Sequence, residues 1–240
     1  MASVRVLGVR IDGVGMDETV DRIEAMIAAG GAHQVATVNP EFIMRARQDS
    51  EFSRVLEAAD LCLADGAGAV WAARRHGLFM AERVAGVDLV PALARRAAAR
   101  GWGVFLLGGA SGVAELAARR LKQLAPELRV VGCFAGDASP AGDDETRAAV
   151  ARARPDLLLV AYGAPKQELW IERNARGLGV PVSIGVGGAF DFLAGRVPRA
   201  PAWMRRFGIE WLFRLIRQPW RARRMAVLPG FALLVLRQRD

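Results

Sequence analysis

The sequence predicts an α/β protein: a mostly parallel sheet with helices on both faces, followed by a basic helical segment. Three observations lead there. Short, continuous apolar runs bounded by Gly, Pro, Asn or Asp alternate with longer helical patterns, and such runs are strands covered on both sides. The hydrophobic fraction is 52% over 240 residues, enough for one large α/β domain or two small ones. The excess positive charge is confined to the last stretch of the chain.

The elements follow in order. Val4 to Val9 reads as a strand, and Asp17 as the N-cap of a helix through Ile27 that Gly30 and Gly31 end. Gln34 to Val38 is a strand closed by Asn39-Pro40, with helical patterning from Glu41 to about Ala58. Leu61 to Ala64 is a short strand ending at Asp65-Gly66, and Val87 to Ala99 is a helix stopped by Gly101. Val104 to Leu107 is a strand, and Ser111 caps a helix to Leu124. Strands Arg129 to Phe134, Leu157 to Ala161 and Val182 to Val186 then alternate with helices Asp143 to Ala153 and Pro165 to Arg176. This is a Rossmann-like pattern. It divides at Gly101 and Gly195 into an N-terminal α/β subdomain (1–101), a parallel-sheet α/β subdomain (102–195) and a basic amphipathic C-terminal appendage (196–240).

Residues 196–240 hold 11 arginines against Glu210 and Asp240, a net +9, while the whole chain is +8. Residues 1–195 are therefore near neutral, at −1 (22 basic against 23 acidic). A basic tail suits an anionic membrane or a nucleic acid. This one is apolar as well. Arg214, Arg217, Arg221 and Arg224 recur at helical spacing, with Trp211, Leu215 and Ile216 on other faces. Met225 to Leu228 and Phe231 to Leu236 give an apolar run shorter than the roughly 20 residues of a spanning helix, yet long enough to lie in a bilayer interface. Trp203, Trp211 and Trp220 suit the same interface, and each arginine near an anionic leaflet contributes roughly 1 kcal/mol. The tail therefore favours a membrane surface over nucleic acid, with a helix packed on the body as its alternative. The parallel sheet needs no residue from it, so residues 1–195 are expected to fold alone. No basic segment followed by an apolar run opens the chain, and Cys62 and Cys133 sit in apolar strands as reduced thiols. A cytoplasmic location, peripheral on the inner face of the membrane, is expected.

Ligands of such sheets bind outside the carboxyl ends of the strands, and the loops there are rich in small and polar residues. Thr37-Val38-Asn39-Pro40 can project an amide to a sugar hydroxyl or simply cap a helix. Asp65-Gly66-Ala67-Gly68 places a carboxylate where backbone can approach a ligand. Gly108-Gly109-Ala110-Ser111-Gly112 joins a strand to a helix whose first N–H groups suit a diphosphate. Gly163, followed by Gln167 in the next helix, and Gly187-Gly188 with Asp191 repeat the theme, Asp191 as a contact for ribose or base. Arg83 either pairs with Asp88 or faces a phosphate while Asp88 caps a helix. No DxD pair and no His/Cys ligand cluster is present, so no metal site is expected.

Together these segments resemble the WecG/TagA/CpsF family of bacterial glycosyltransferases. The resemblance extends through Val197-Pro198-Arg199 to Glu210-Trp211-Leu212-Phe213-Arg214 and so covers nearly the whole chain. It implies inverting transfer from a UDP-sugar (UDP-N-acetylmannosamine, its uronic acid or UDP-glucose) to a sugar on an undecaprenyl diphosphate, without metal or cofactor. The products of such enzymes feed wall teichoic acid, enterobacterial common antigen or exopolysaccharide. Asp65 is the candidate base, with Thr37, Asn39 and Arg83 beside it. Gly108, Gly109, Gly163, Gln167, Gly187 and Asp191 are the candidate nucleotide contacts. Arg214, Arg221 and Arg224 are candidates for a diphosphate. A nicotinamide-dependent oxidoreductase and an arginine-tail nucleic-acid binder are the competing readings, and a homo-oligomer is left open.

Overall fold

The computed structural model describes residues 2–206, 208–217, 219 and 222–238. Six strands form one sheet: β3 (His33–Val38), β4 (Leu61–Ala64), β5 (Gly103–Gly108), β6 (Arg129–Phe134), β7 (Leu157–Ala161) and β8 (Val182–Gly185). Their order is β4-β3-β8-β7-β5-β6, and every neighbouring pair is parallel. The expected sheet is thus present.

One face carries α1 (Met16–Ala29), α5 (Gly86–Arg100), α6 (Val113–Leu124) and α9 (Ala189–Leu193). Their apolar sides meet Val35, Leu63, Leu106, Leu159 and Ile184 in one continuous core. The other face holds two cores. Helices α2 (Pro40–Ala46), α3 (Ser50–Ala58) and α4 (Ala67–Arg75) belong to the one over β3 and β4. Helices α7 (Asp143–Ala153) and α8 (Lys166–Leu178) belong to the one over β5 and β7. Between these two cores runs a buried polar seam of Gln34, Ser183, Gln167 and Glu168. The chain leaving β3 goes to this second face and the chain leaving β8 to the first. Adjacent strands whose connections part in this way open a crevice at their carboxyl ends.

Three local readings change. The expected strand Val4 to Val9 is a hairpin, β1 (Ser3–Val6) antiparallel to β2 (Val9–Asp12). Its turn puts Leu7 at φ 49° and Gly8 at φ 92°, the twist-matched two-residue geometry. A leucine in the left-handed region is uncommon, which hid the turn. The expected helix Glu41 to Ala58 breaks in two because Asp49 caps α3, its Oδ1 accepting from Phe52 N–H at 3.1 Å. Asp17 and Ser111 are not caps: the N-cap positions belong to Gly15 and Gly112.

The C-terminal segment continues as α10 (Ala202–Arg206), α11 (Glu210–Arg217), α12 (Ala222–Met225) and α13 (Val227–Arg237). The expected apolar run becomes α13, and it is seated on the body. Phe231 and Val235 are buried in the core that also holds Val6, Val9 and Phe42. Gln238 clips the helix end to the hairpin: its Oε1 accepts from Leu7 N–H at 2.7 Å, and its Nε2 donates to the Arg5 carbonyl at 2.9 Å. The body therefore does draw on the tail, through side chains the strand pattern alone does not reveal. No described helix is long and apolar enough to cross a membrane.

Candidate active site

A cavity of about 330 Å³ opens at the carboxyl ends of β3 and β4. Asn39, Asp65, Gly68, Trp71 and Arg83 line it from the body, and Glu210, Trp211, Met225, Leu228 and Phe231 from the C-terminal segment. Its lining combines polar side chains, Asn39, Asp65, Arg83 and Glu210, with apolar ones, Trp71, Trp211, Met225, Leu228 and Phe231. Asp65 directly follows β4, and its N–H donates to the Val38 carbonyl at 2.8 Å. This bond holds the carboxylate-bearing residue beside the end of β3. The following turn is tight: a Cβ at Gly68 would stand 2.7 Å from Pro40 Cγ, so α2 and α4 start almost in contact around the cavity. Asn39 serves as a cap, its Oδ1 accepting from Phe42 N–H at 3.1 Å, while it also lines the cavity. The two readings of that residue are thus compatible.

Arg83 belongs to an ionic ring of longer reach than its neighbour Asp88. Its Nη2 donates to Glu210 Oε2 at 3.0 Å and lies 3.8 Å from Asp88 Oδ2. Arg199 closes the ring with two bonds to Asp88, at 3.0 and 3.2 Å, and approaches Glu210 at 3.5 Å. Asp88 sits in the first turn of α5, whose N-cap is Ala85. Two guanidinium groups and two carboxylates so alternate, and they fasten α11 to the loop before α5. This fastening brings Trp211 onto the cavity.

The other candidate residues gather on an adjoining rim. Gly109 N–H donates to the Ala161 carbonyl at 3.1 Å, joining the ends of β5 and β7; Gly108 is the last residue of β5. Gly163 N–H and Gly187 N–H both donate to Gln167 Oε1, each at 3.0 Å, joining the loops after β7 and β8. Gln167 itself is buried. Thr37 Oγ1 donates to the Gly185 carbonyl at 2.9 Å, tying β3 to β8 below the rim. Asp191 sits in α9, partly exposed, its main-chain carbonyl accepting from Arg196 and Val197 N–H. The loop carrying Arg83 connects the two parts, since Ala85 lines the cavity and a Cβ at Gly86 would stand 3.3 Å from the Val186 carbonyl. The structure thus assembles Asn39, Asp65 and Arg83 in the cavity and the glycines, Gln167 and Asp191 along the rim. Arg221 lies outside the described residues, as do the side chains of Arg214 and Arg224.

Glu168, Arg199 and Glu210 are the residues that sequence reasoning passed over. Glu168 is fully buried, and burial pushes its carboxyl up to about 8 from an ordinary 4.5. Between those two values the folded chain holds a proton that the unfolded chain has released. Stability from this group is therefore fully present below about 4.5 and is lost as pH rises through about 8. The urea midpoint of the wild type is expected to fall between pH 6 and pH 9, and that of Glu168→Gln to fall distinctly less. Parallel slopes in the two proteins would assign the loss to other groups. Among the described residues no cluster of His, Cys, Asp or Glu is arranged as a metal site.

A doubly covered parallel sheet, with glycine-rich loops on its carboxyl edge beside a carboxylate and guanidinium cavity, is an arrangement that binds a ligand outside the carboxyl ends of its strands. The comparisons make the class definite. The profile of the Glycosyl transferase WecG/TagA/CpsF family matches residues 4–240, and the chain belongs to this family. A Bacillus subtilis (strain 168) protein named N-acetylglucosaminyldiphosphoundecaprenol N-acetyl-beta-D-mannosaminyltransferase is 36% identical over 206 residues, 85% of this chain and 79% of its own. A Staphylococcus aureus (strain MW2) protein of the same name is 32% identical over 235 residues, 96% of this chain and 91% of its own. The chain is a glycosyltransferase.

Proposed function

We propose that the enzyme transfers an N-acetylmannosaminyl group from UDP-N-acetylmannosamine to N-acetylglucosamine carried on undecaprenyl diphosphate, with inversion at the anomeric carbon. The carrying observation is the cavity in which Asn39, Asp65 and Arg83 meet an apolar wall of Trp71, Trp211, Leu228 and Phe231. A lining that mixes polar and apolar side chains suits a sugar joined to a lipid. The names of the two relatives supply the particular sugars.

In this reading Asp65 takes the proton from the acceptor hydroxyl as its oxygen attacks the anomeric carbon of the donor. The bond from that carbon to the phosphate oxygen breaks on the opposite side, and UDP leaves with the electron pair. Arg83 and the first N–H groups of α6, which follow the Gly108-Gly109 loop, stabilise the developing charge on the diphosphate. Arg214, Arg221 and Arg224 are assigned to the same task from the tail. Thr37 holds β3 and β8 in register beneath the donor, and Asp191 takes the ribose or base. With no DxD pair in the sequence, these cations stand in for a metal. The surplus charge of residues 196–240 and the exposed Trp203, Ile216, Leu233 and Leu236 support attachment to an anionic membrane, where the acceptor resides.

A panel of UDP-sugars against a synthetic, short-chain lipid diphosphate carrying N-acetylglucosamine tests the assignment by product mass. UDP-N-acetylmannosamine is expected to give the fastest transfer, at a rate that EDTA leaves unchanged. Preference for UDP-glucose or the uronic acid overturns the donor. A rate that collapses with chelator and returns with magnesium or manganese overturns the metal-free mechanism.

A further inference from the structure

We propose that Glu168 is a positioning residue for the nucleotide: acting through Gln167, it holds the loops after β7 and β8 in the shape on which UDP lies. The inference rests on the reading of Gly163 and Gly187 as part of the nucleotide rim.

The geometry begins at Gln167. A single oxygen, Oε1, accepts both the Gly163 and the Gly187 N–H at 3.0 Å. Only the carbonyl oxygen of an amide can accept two donors, so its NH₂ group must point the other way. There Nε2 donates to Glu168 Oε1 at 2.6 Å. A half-turn of the Gln167 amide would set NH₂ against two N–H donors and take the Nε2 donor away from Glu168 Oε1. Glu168 and the two loop N–H groups together therefore hold the one orientation that binds the loops to each other. Its own place is fixed: Gln34 Nε2 donates to its main-chain carbonyl at 3.1 Å. Space is reserved for it as well, since a Cβ at Gly185 would stand 2.5 Å from Glu168 Oε1 and 2.6 Å from Gln167 Nε2.

The loops so held are suited to a ligand. Gly163 has φ 75° and Gly187 φ 52°, and a Cβ at either would meet nothing within 4 Å. Their open sides lie at the carboxyl edge of the sheet. The carboxyl of Glu168 is a poor filler for this place. It is fully buried, and its Oε2 has no hydrogen-bond partner among the described residues. Burying such a group costs stability that an apolar side chain of similar size does not. Orientation of Gln167 is what the carboxyl supplies in return.

The test measures UDP affinity by calorimetry alongside kcat and the acceptor KM. Glu168→Leu is expected to weaken UDP binding about tenfold or more, with acceptor KM within about threefold. Glu168→Gln, which keeps an acceptor oxygen for Gln167, should recover most of that affinity. The sharper pair is Gln167→Glu, expected to weaken UDP binding, and the double variant Gln167→Glu/Glu168→Gln, expected to restore it. The double variant reverses the hydrogen bond but preserves the pattern, which a space-filling role cannot explain. It also decides the matter if Glu168→Leu does not fold. A Glu168→Leu protein that binds UDP normally, or a double variant no better than its Gln167→Glu parent, overturns the proposal. Gly187→Asp separates the two levels, because it places a charge on the rim without touching the pair. If it weakens UDP binding while Glu168→Leu does not, the positioning role alone falls. If it leaves UDP binding unchanged, the rim reading falls and the positioning role with it.

Discussion

Asp65→Asn is expected to lower turnover by about 10²–10⁴-fold, the usual loss when a general base is removed, with UDP affinity changed by less than about threefold. The substitution keeps size and polarity, so the strand end should not move. The main-chain bond from residue 65 to the Val38 carbonyl is independent of the side chain. The bond from Val84 N–H to the Ala64 carbonyl, which anchors the Arg83 loop next to it, is equally untouched. An amide in place of the carboxylate can still accept a hydrogen bond from the acceptor hydroxyl, but it cannot take up its proton. The loss should therefore appear in kcat with little change in either KM. Single-turnover rates together with UDP titration check it. Near-wild-type turnover would remove Asp65 from the chemistry. A matched loss of UDP affinity would instead place its charge in donor binding. Asn39 gives a useful contrast, because its oxygen caps α2. Asn39→Ala should cost about 0.5–2 kcal/mol of stability in addition to any effect on rate, whereas Asn39→Asp keeps the cap.

The strands could be read from sequence because each is an almost unbroken apolar run. Leu157–Ala161 and Asp143–Ala153 fall where the pattern puts them. Loops rich in glycine at strand ends likewise pointed to the carboxyl edge of the sheet. What the sequence hid was pairing over distance. The local partner of Arg83 was Asp88, five residues on, yet the shorter bond goes to Glu210, 127 residues away. Nothing in the periodicity of residues 210–217 marks Glu210 as the acid that fastens the segment. Glu168 directly follows the candidate Gln167, but its burial follows from the order of strands. It faces Gly185 only because β8 lies beside β3 and beneath α8. A signal did exist, in a Gln-Glu pair opening a helix and a strand ending in glycine. Its meaning required the register that sets one above the other.

The apolar C-terminal run shows the same limit, and it carries the second large effect. As a sequence it fits an interfacial segment, and α13 does keep Leu233 and Leu236 outward, at 48% and 56% exposed. Its opposite side is committed to the body. Phe231 is 2% exposed and packs edge-on against Trp71, with ring centres 6.4 Å apart; Val235 is fully buried. Truncating a buried phenylalanine to alanine typically costs about 3–5 kcal/mol. Phe231→Ala is therefore expected to lower the urea midpoint markedly, and activity with it, since the ring also lines the cavity. Leu233→Ser and Leu236→Ser should leave stability within about 0.5 kcal/mol, as surface changes usually do. Those two should instead reduce sedimentation with anionic liposomes while sparing turnover on a short-chain, water-soluble acceptor. Ending the chain after Gly195 combines both losses. It strips Phe231 and Val235 from the core that holds Val6, Val9 and Phe42, so the fragment should show a lower midpoint as well as no transfer. A fragment of residues 1–195 as stable as the full chain, or a Phe231→Ala protein that loses only liposome binding, would make α13 an anchor and not a part of the fold.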